Sequence, residues 1–147
     1  RQGRMSKPCD KLKLEFESKS VNEGFARAAV GAFAARLDPS LEELNDIKTA
    51  VSEAVTNCIV HAYPDGIGPI YIAVKISANT LEIRIKDCGR GIEDVEQARE
   101  PLYTTGGEDR SGMGFTVMES FCDGLRVKSK PGAGTTVVLT KRIKSRR

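Results

Sequence analysis

The stretch from Ser52 to His61, Ser-Glu-Ala-Val-Thr-Asn-Cys-Ile-Val-His, constrains this chain more than any other. It closes a run whose apolar residues fall at Leu44, Ile47, Val51, Ala54 or Val55, and Cys58. That is the spacing of a helix with one buried face, so a second layer must cover it. Polar side chains interrupt the run four apart, at Glu53, Asn57 and His61. Residues four apart stack on one helix face. A carboxamide oxygen is a hard ligand suited to Mg²⁺, which takes few protein groups and leaves its other positions to water or phosphate. A carboxylate one turn away can accept a proton from a hydroxyl or water nucleophile. A solvated stripe on an amphipathic helix would look the same, so the helix alone leaves both readings open.

The 147 residues predict one domain with a single core, and 39% hydrophobic with 29% charged residues suits a globular chain. No apolar run approaches the roughly 18–20 residues of a membrane span, and the N-terminus has no apolar signal-peptide core, so a cytoplasmic protein without a membrane partner is expected. The net charge of +3 is concentrated at one end: Lys141 to Arg147 holds five basic residues and no acid. Eighteen basic against twenty acidic residues remain in 1–140, a net −2. With no basic stripe interleaved with aromatics, direct nucleic-acid binding is not expected. The cysteines, Cys9, Cys58, Cys88 and Cys122, form no C-x-x-C pair, so neither zinc nor a redox couple is indicated. Cys58 and Cys122 read as small core residues. His61, the one histidine, has no metal-ligating companion in the sequence.

Residues 1–10 show no periodicity and are expected to be disordered; 11–142 read as the domain and 143–147 as a basic tail. Lys11 to Glu17 alternates as a strand, with Leu12, Leu14 and Phe16 on one face. Ser20 to Leu37 reads as a helix. Ser20 with Glu23 suggests a capping box, and Val21, Phe25, Ala28, Ala29, Ala32 and Phe33 suggest the buried stripe. Arg27 lies off that stripe among small residues, open to a partner. Ser40 with Glu43 is a second capping box, opening a helix from Leu41 to about Ala62. Ile70 to Ser77 and Thr80 to Asp87 are strands, with Asn79 supplying the turn. Residues 89–114 have the length and composition of a functional lid, with one short helix near Asp94 to Arg99. A helix follows from Gly112 to Asp123. Leu125 to Ser129 and Thr135 to Thr140 are strands joined by Lys130-Pro-Gly-Ala-Gly134. The order predicts a two-layer α/β sandwich: one mixed sheet covered on one face by helices.

Three glycine segments add chemistry. Asp87-Cys-Gly-Arg-Gly91 ends a strand; its aspartate can accept from an exocyclic amine such as that of adenine, and Gly89 and Gly91 allow a ring close to the backbone. Arg110-Ser111-Gly112-Met113-Gly114 opens a helix, where unpaired amides make an anion site. Arg110 can add a charge-assisted contact, and Thr104 and Thr105 can donate hydroxyls. Gly134-Thr135-Thr136 starts the last strand, where the Thr135 hydroxyl can close a base pocket. Singly, each segment is equally a turn, a cap or a strand start.

Together, and in this order, the segments resemble the GHKL ATP-binding family, with its N box, two glycine boxes and closing threonine. Neither G-x-x-x-x-G-K-[ST] nor an H-R-D loop is present. Ser52-Glu-Ala-Val-Thr-Asn57, Pro101-Leu-Tyr-Thr-Thr105 and Arg110-Ser-Gly-Met-Gly-Phe115 are similar to the anti-sigma serine kinases of sporulating bacteria, from about Leu12 to Arg142. The resemblance implies a homodimer that binds ATP or ADP with Mg²⁺, silences a sporulation sigma factor, and phosphorylates a serine on an anti-anti-sigma protein. It implies Glu53 as base and Asn57 as metal ligand, with Asp87, Gly89, Gly91 and Thr135 at adenine. Thr104, Thr105, Arg110, Ser111, Gly112, Met113 and Gly114 would lie at the phosphates, and Arg27 at a protein partner. A general-stress anti-sigma kinase, or a sigma-binding module that only senses nucleotide, would carry much the same pattern. Departures from the pattern are Cys88 where a carboxylate is expected, Ala62 where glycine is expected, and a short glycine-rich segment at Gly106 to Asp109.

Overall fold

A computed structural model describes residues 10–99 and 111–144, of 111–113 the backbone alone. Strand β1 (Asp10–Glu17) leads to helix α1 (Val21–Ala34), which tightens into a 3₁₀ turn to Leu37. Helix α2 (Leu41–Asn57) widens into a π turn over Cys58–Ala62. Strands β2 (Pro69–Ser77) and β3 (Thr80–Asp87) form a hairpin. Short helix α3 (Val95–Ala98) and helix α4 (Ser111–Phe121) precede the hairpin of β4 (Gly124–Lys130) and β5 (Gly134–Arg142). No helix among the described residues is long and apolar enough to cross a membrane.

The strands form one sheet in the order β1-β2-β3-β5-β4. Helices cover one face of it, as expected, but every ladder is antiparallel rather than mixed. The reason is topological. The α1–α2 pair crosses the sheet twice and returns the chain to the end where β1 finished, so β2 runs back along β1. Helix α4 crosses once, so β4 runs in the direction of β3. Strand β5 then inserts between them and no parallel pair forms.

The core lies between the sheet and the helices. Ile70, Ile72 and Val74 of β2, Leu81, Ile83 and Ile85 of β3, and Val137 and Leu139 of β5 point inward. They meet Ile47, Ala50, Val51, Ala54 and Val55 of α2, and Phe115 and Met118 of α4. Helix α2 begins as expected: Ser40 Oγ accepts from Glu43 N at 3.0 Å, and Glu43 Oε1 accepts from Ser40 N at 2.9 Å.

Helix α1 departs from expectation twice. Ser20 makes no side-chain cap; its own backbone is already helical, and the first turn closes through the carbonyls of Lys19 and Ser20. The buried residues are Ala26, Val30, Gly31, Phe33 and Ala34, whereas Val21, Phe25, Ala28 and Ala32 face solvent. An alanine-rich helix carries two nearly equivalent apolar stripes, and the α1–α2 packing selects the one that includes Gly31, where a Cβ would lie 3.2 Å from the Lys48 side chain. The β2–β3 turn also differs in detail: Ala78, not Asn79, takes the left-handed conformation, with φ 54°.

Candidate functional site

A cleft opens where the π turn, the end of β3, α4 and β5 meet. Ala54, Asn57, Cys58, His61 and Ala62 line it from the helix side, with Phe115 from α4. Asp87, Ile92, Thr135 and Val137 complete it from the sheet side. The walls are mainly apolar and the polar groups few and converging, as in sites for small molecules.

The π turn sets the helix side. That turn is closed by Tyr63 N donating to Cys58 O at 3.2 Å, and Asn57, Cys58, His61 and Ala62 all line the cleft. Glu53 sits one turn before Asn57 and is half-buried. The Asn57 Nδ2 is buried and has no hydrogen-bond partner among the described residues. Its carboxamide lies against Gly114, where an added Cβ would come within 3.0 Å of Oδ1 and 3.1 Å of Nδ2. A buried carboxamide with an orphaned end is costly unless a ligand completes it. The carboxamide oxygen is the atom that can ligate a metal ion, while the unpaired Nδ2 N–H bonds fit an acceptor such as a phosphate oxygen.

Asp87 is the polar floor of the cleft, 4% exposed. Its Oδ1 accepts from Gly89 N at 2.9 Å and Thr135 N at 3.2 Å, and its Oδ2 from Cys58 Sγ at 3.5 Å. A carboxylate offers about four acceptor positions, so one remains for the cleft. Burial, then the charge and hydrogen bond of Asp87, push the Cys58 thiol well above its ordinary pKa. Cys58 is therefore a neutral S–H donor that holds the carboxylate in place.

The glycines set backbone distances. A Cβ on Gly89 would meet the Ala62 carbonyl at 2.3 Å, and one on Gly91, at φ +78°, the Lys130 carbonyl at 2.1 Å. Gly134, at φ +106°, would strike the Asp87 carbonyl at 2.2 Å. The segment after Asp87 is thus clamped between the π turn and the β4–β5 hairpin. Arg90 N donates to Ala62 O at 3.1 Å and Gly132 N to Arg90 O at 2.7 Å.

Thr135 is buried at the cleft, while Gly112 opens α4 behind Ser111 and ahead of Met113. Arg110, Thr104 and Thr105 lie outside the described residues. Arg27 is on α1, away from the cleft. It is exposed, and its Nη1 donates to Ser52 Oγ at 3.2 Å, next to Glu53 in sequence.

The histidine kinase-like ATPase domain family matches residues 16–141. The anti-sigma F factor of a Thermoanaerobacter species is 58% identical over 135 residues, covering 91% of this chain and 94% of the relative. Those of Caldanaerobacter subterraneus, at 59% over 133 residues, and Clostridium perfringens, at 54% over 136, cover at least 90% of both chains. The chain belongs to the anti-sigma F factor family. Its fold is shared with the crystal structure of the RsbU and RsbW domains of Rv1364c from Mycobacterium tuberculosis, with TM-score 0.68 at 21% identity. That match covers 91% of this chain and 32% of the other. The ATPase-domain match makes ATP or ADP the ligand of this domain.

Three residues of this anti-sigma F family member were not singled out as site residues from sequence. Cys58 was read as core alone, although it follows Asn57 directly. Tyr63 OH donates to Pro69 O and accepts from Cys88 N, both at 2.7 Å, tying the π turn to the ends of β2 and β3. Burial is the largest influence on its hydroxyl pKa, which is raised. Ser129 occupies an inward position of β4, in line with Leu125 and Val127. A polar residue on the apolar side of an alternating strand is the signal that marks it.

Proposed function

We propose that this protein is an ATP-dependent protein-serine kinase that also binds and silences a sporulation sigma factor. Its phosphoryl acceptor is a serine on an anti-anti-sigma antagonist. The observation that carries the reading is the Asn57 carboxamide at the cleft, one helical turn from Glu53, its buried Nδ2 without a partner among the described residues and so open to a phosphate oxygen, which leaves Oδ1 for the metal. In this reading Asn57 holds Mg²⁺, and the metal when bound spreads the charge of the transferred phosphoryl group. Glu53 accepts the serine proton as the oxygen bonds to the terminal phosphorus and the bond to ADP breaks. Asp87, supported by Thr135, receives the exocyclic amine of adenine. The amides opening α4 at Ser111, Gly112, Met113 and Gly114 face the phosphates, with Arg110, Thr104 and Thr105 contributing charge and hydroxyls.

The partner surface is proposed on α1. Arg27 is exposed there, and so are Val21 at 77% and Phe25 at 52%, an apolar and cationic combination suited to a protein partner. Strand β1 is a sheet edge, which supports a homodimer. The names of the anti-sigma F relatives support the sigma-factor partner.

Two variants test the division of roles. Glu53→Ala is expected to lose phosphoryl transfer by at least about a hundredfold while binding ATP as the wild type does. Asn57→Ala is expected to lose the Mg²⁺-dependent part of ATP affinity. Loss of ATP binding in Glu53→Ala, or unchanged Mg²⁺ dependence in Asn57→Ala, would contradict the assignment.

A further inference from the structure

Ser129 Oγ, on β4, joins the segment after β3 to the start of β5. Ile92 N donates to it at 2.7 Å, Gly134 O lies 3.1 Å away, and Thr135 Oγ1 lies 2.7 Å away. A hydroxyl has one hydrogen and two lone pairs. The Ile92 amide occupies one lone pair. The Gly134 carbonyl cannot donate, so it takes the serine hydrogen. The contact with Thr135 then uses the second lone pair, and the Thr135 hydroxyl must be its donor. Thr135 therefore spends its only hydrogen on Ser129 and offers the cleft lone pairs alone. Asp87, hydrogen-bonded to the Thr135 amide, has one free acceptor position there as well. Two acceptors side by side complement an amino group with two N–H bonds. They oppose a carbonyl oxygen, whose lone pairs would face theirs.

We infer that Ser129 is a positioning residue for base selectivity: by holding the Thr135 hydroxyl as an acceptor, it makes the cleft accept a 6-amino purine and reject a 6-oxo purine. The inference rests on the reading of the cleft as a purine nucleotide site. Removal of the Ser129 hydroxyl releases the Thr135 hydrogen, which can then turn to a 6-oxo group. Replacement of Thr135 by valine leaves the Asp87 carboxylate as the only acceptor.

The test is calorimetric binding of ATP and inosine triphosphate, with Mg²⁺, to the wild type, Ser129→Ala and Thr135→Val. The two nucleotides present different groups at position 6. The wild type is expected to prefer ATP. In Ser129→Ala the ratio of affinities should fall about tenfold, mainly by tighter binding of inosine triphosphate, because one opposed contact becomes a hydrogen bond. In Thr135→Val the ratio should also fall, mainly by weaker binding of ATP. This second variant carries the test if Ser129→Ala does not fold. A role confined to support of the backbone would weaken both nucleotides by one factor. An unchanged ratio in variants that still bind ATP therefore overturns the Ser129 assignment alone. A wild type that binds neither nucleotide overturns the underlying reading, and this inference with it.

Discussion

At the scale of the residue, the site depends on which polar atoms are completed by the protein and which are not. Asp87 is nearly saturated: two backbone amides and the Cys58 thiol hold it, leaving one direction open. Asn57 is the opposite case, with a buried nitrogen left unpaired among the described residues. Gly114 is the residue that permits this, since any side chain there presses on the carboxamide. Gly114→Ala separates stability from function. Alanine in a helix is favoured over glycine by about 1 kcal/mol, so the melting temperature should hold or rise. Asn57 must shift by a few tenths of an ångström, and Mg²⁺-dependent ATP affinity is expected to fall about tenfold. Thermal melting beside a nucleotide titration checks both halves, and a variant that binds Mg·ATP normally would remove Asn57 from the metal.

At the scale of the element, the β2–β3 hairpin turns on Ala78 at φ 54°, a conformation that disfavours a residue with a Cβ. Ala78→Gly is expected to raise stability by up to about 1 kcal/mol in denaturant unfolding; a loss would show that the turn carries no strain. The sequence placed this turn within one residue, with Asn79 as the turn residue, because asparagine favours turns. The antiparallel register, set by hydrogen bonds across strands, puts the left-handed position at Ala78. Helix α2 was legible in full, because the Ser40–Glu43 cap and a long apolar period agree on it. Helix α1 was legible in extent but not in facing: its alanines give two stripes of equal merit, and only the packed partner α2 decides between them. The π turn was not legible, since nothing local distinguishes Cys58–Ala62 from a continued α-helix. The sheet was read as mixed because helix crossings can be counted from sequence, whereas the insertion of β5 between β3 and β4 cannot. Asn57, Asp87 and Thr135, singled out by glycine or helix spacing, all line the cleft, while Cys58 and Ser129 are ordinary residues whose hydrogen bonds exist only across elements.

At the scale of the whole molecule, the helical layer and the sheet share one core, and two thiols sit within that packing. Burial pushes the Cys122 thiol from 9.0 up to about 11, and burial also raises Cys58. Folding therefore disfavours the thiolates. The stability is fully present below the unfolded-state value and is lost as pH rises through the folded one. Unfolding measurements are expected to show stability falling above about pH 9, with a shallower fall in Cys122→Ala. An identical slope in that variant would place the alkaline loss elsewhere. Over the same scale the protein joins the proposed nucleotide cleft at one end of the sheet to an exposed surface on α1, with the Arg27–Ser52 hydrogen bond between α1 and the helix that carries Glu53. The account requires that the cleft perform phosphoryl transfer to a protein serine. The most direct measurement is transfer of labelled γ-phosphate from Mg·ATP to the anti-anti-sigma protein, with Glu53→Gln and an acceptor-serine-to-alanine partner run alongside. The account predicts label on the wild-type partner only, and only with intact Glu53. Label that persists with Glu53→Gln would contradict the assigned base, and no label on any partner, with ATP bound, would contradict the kinase reading itself.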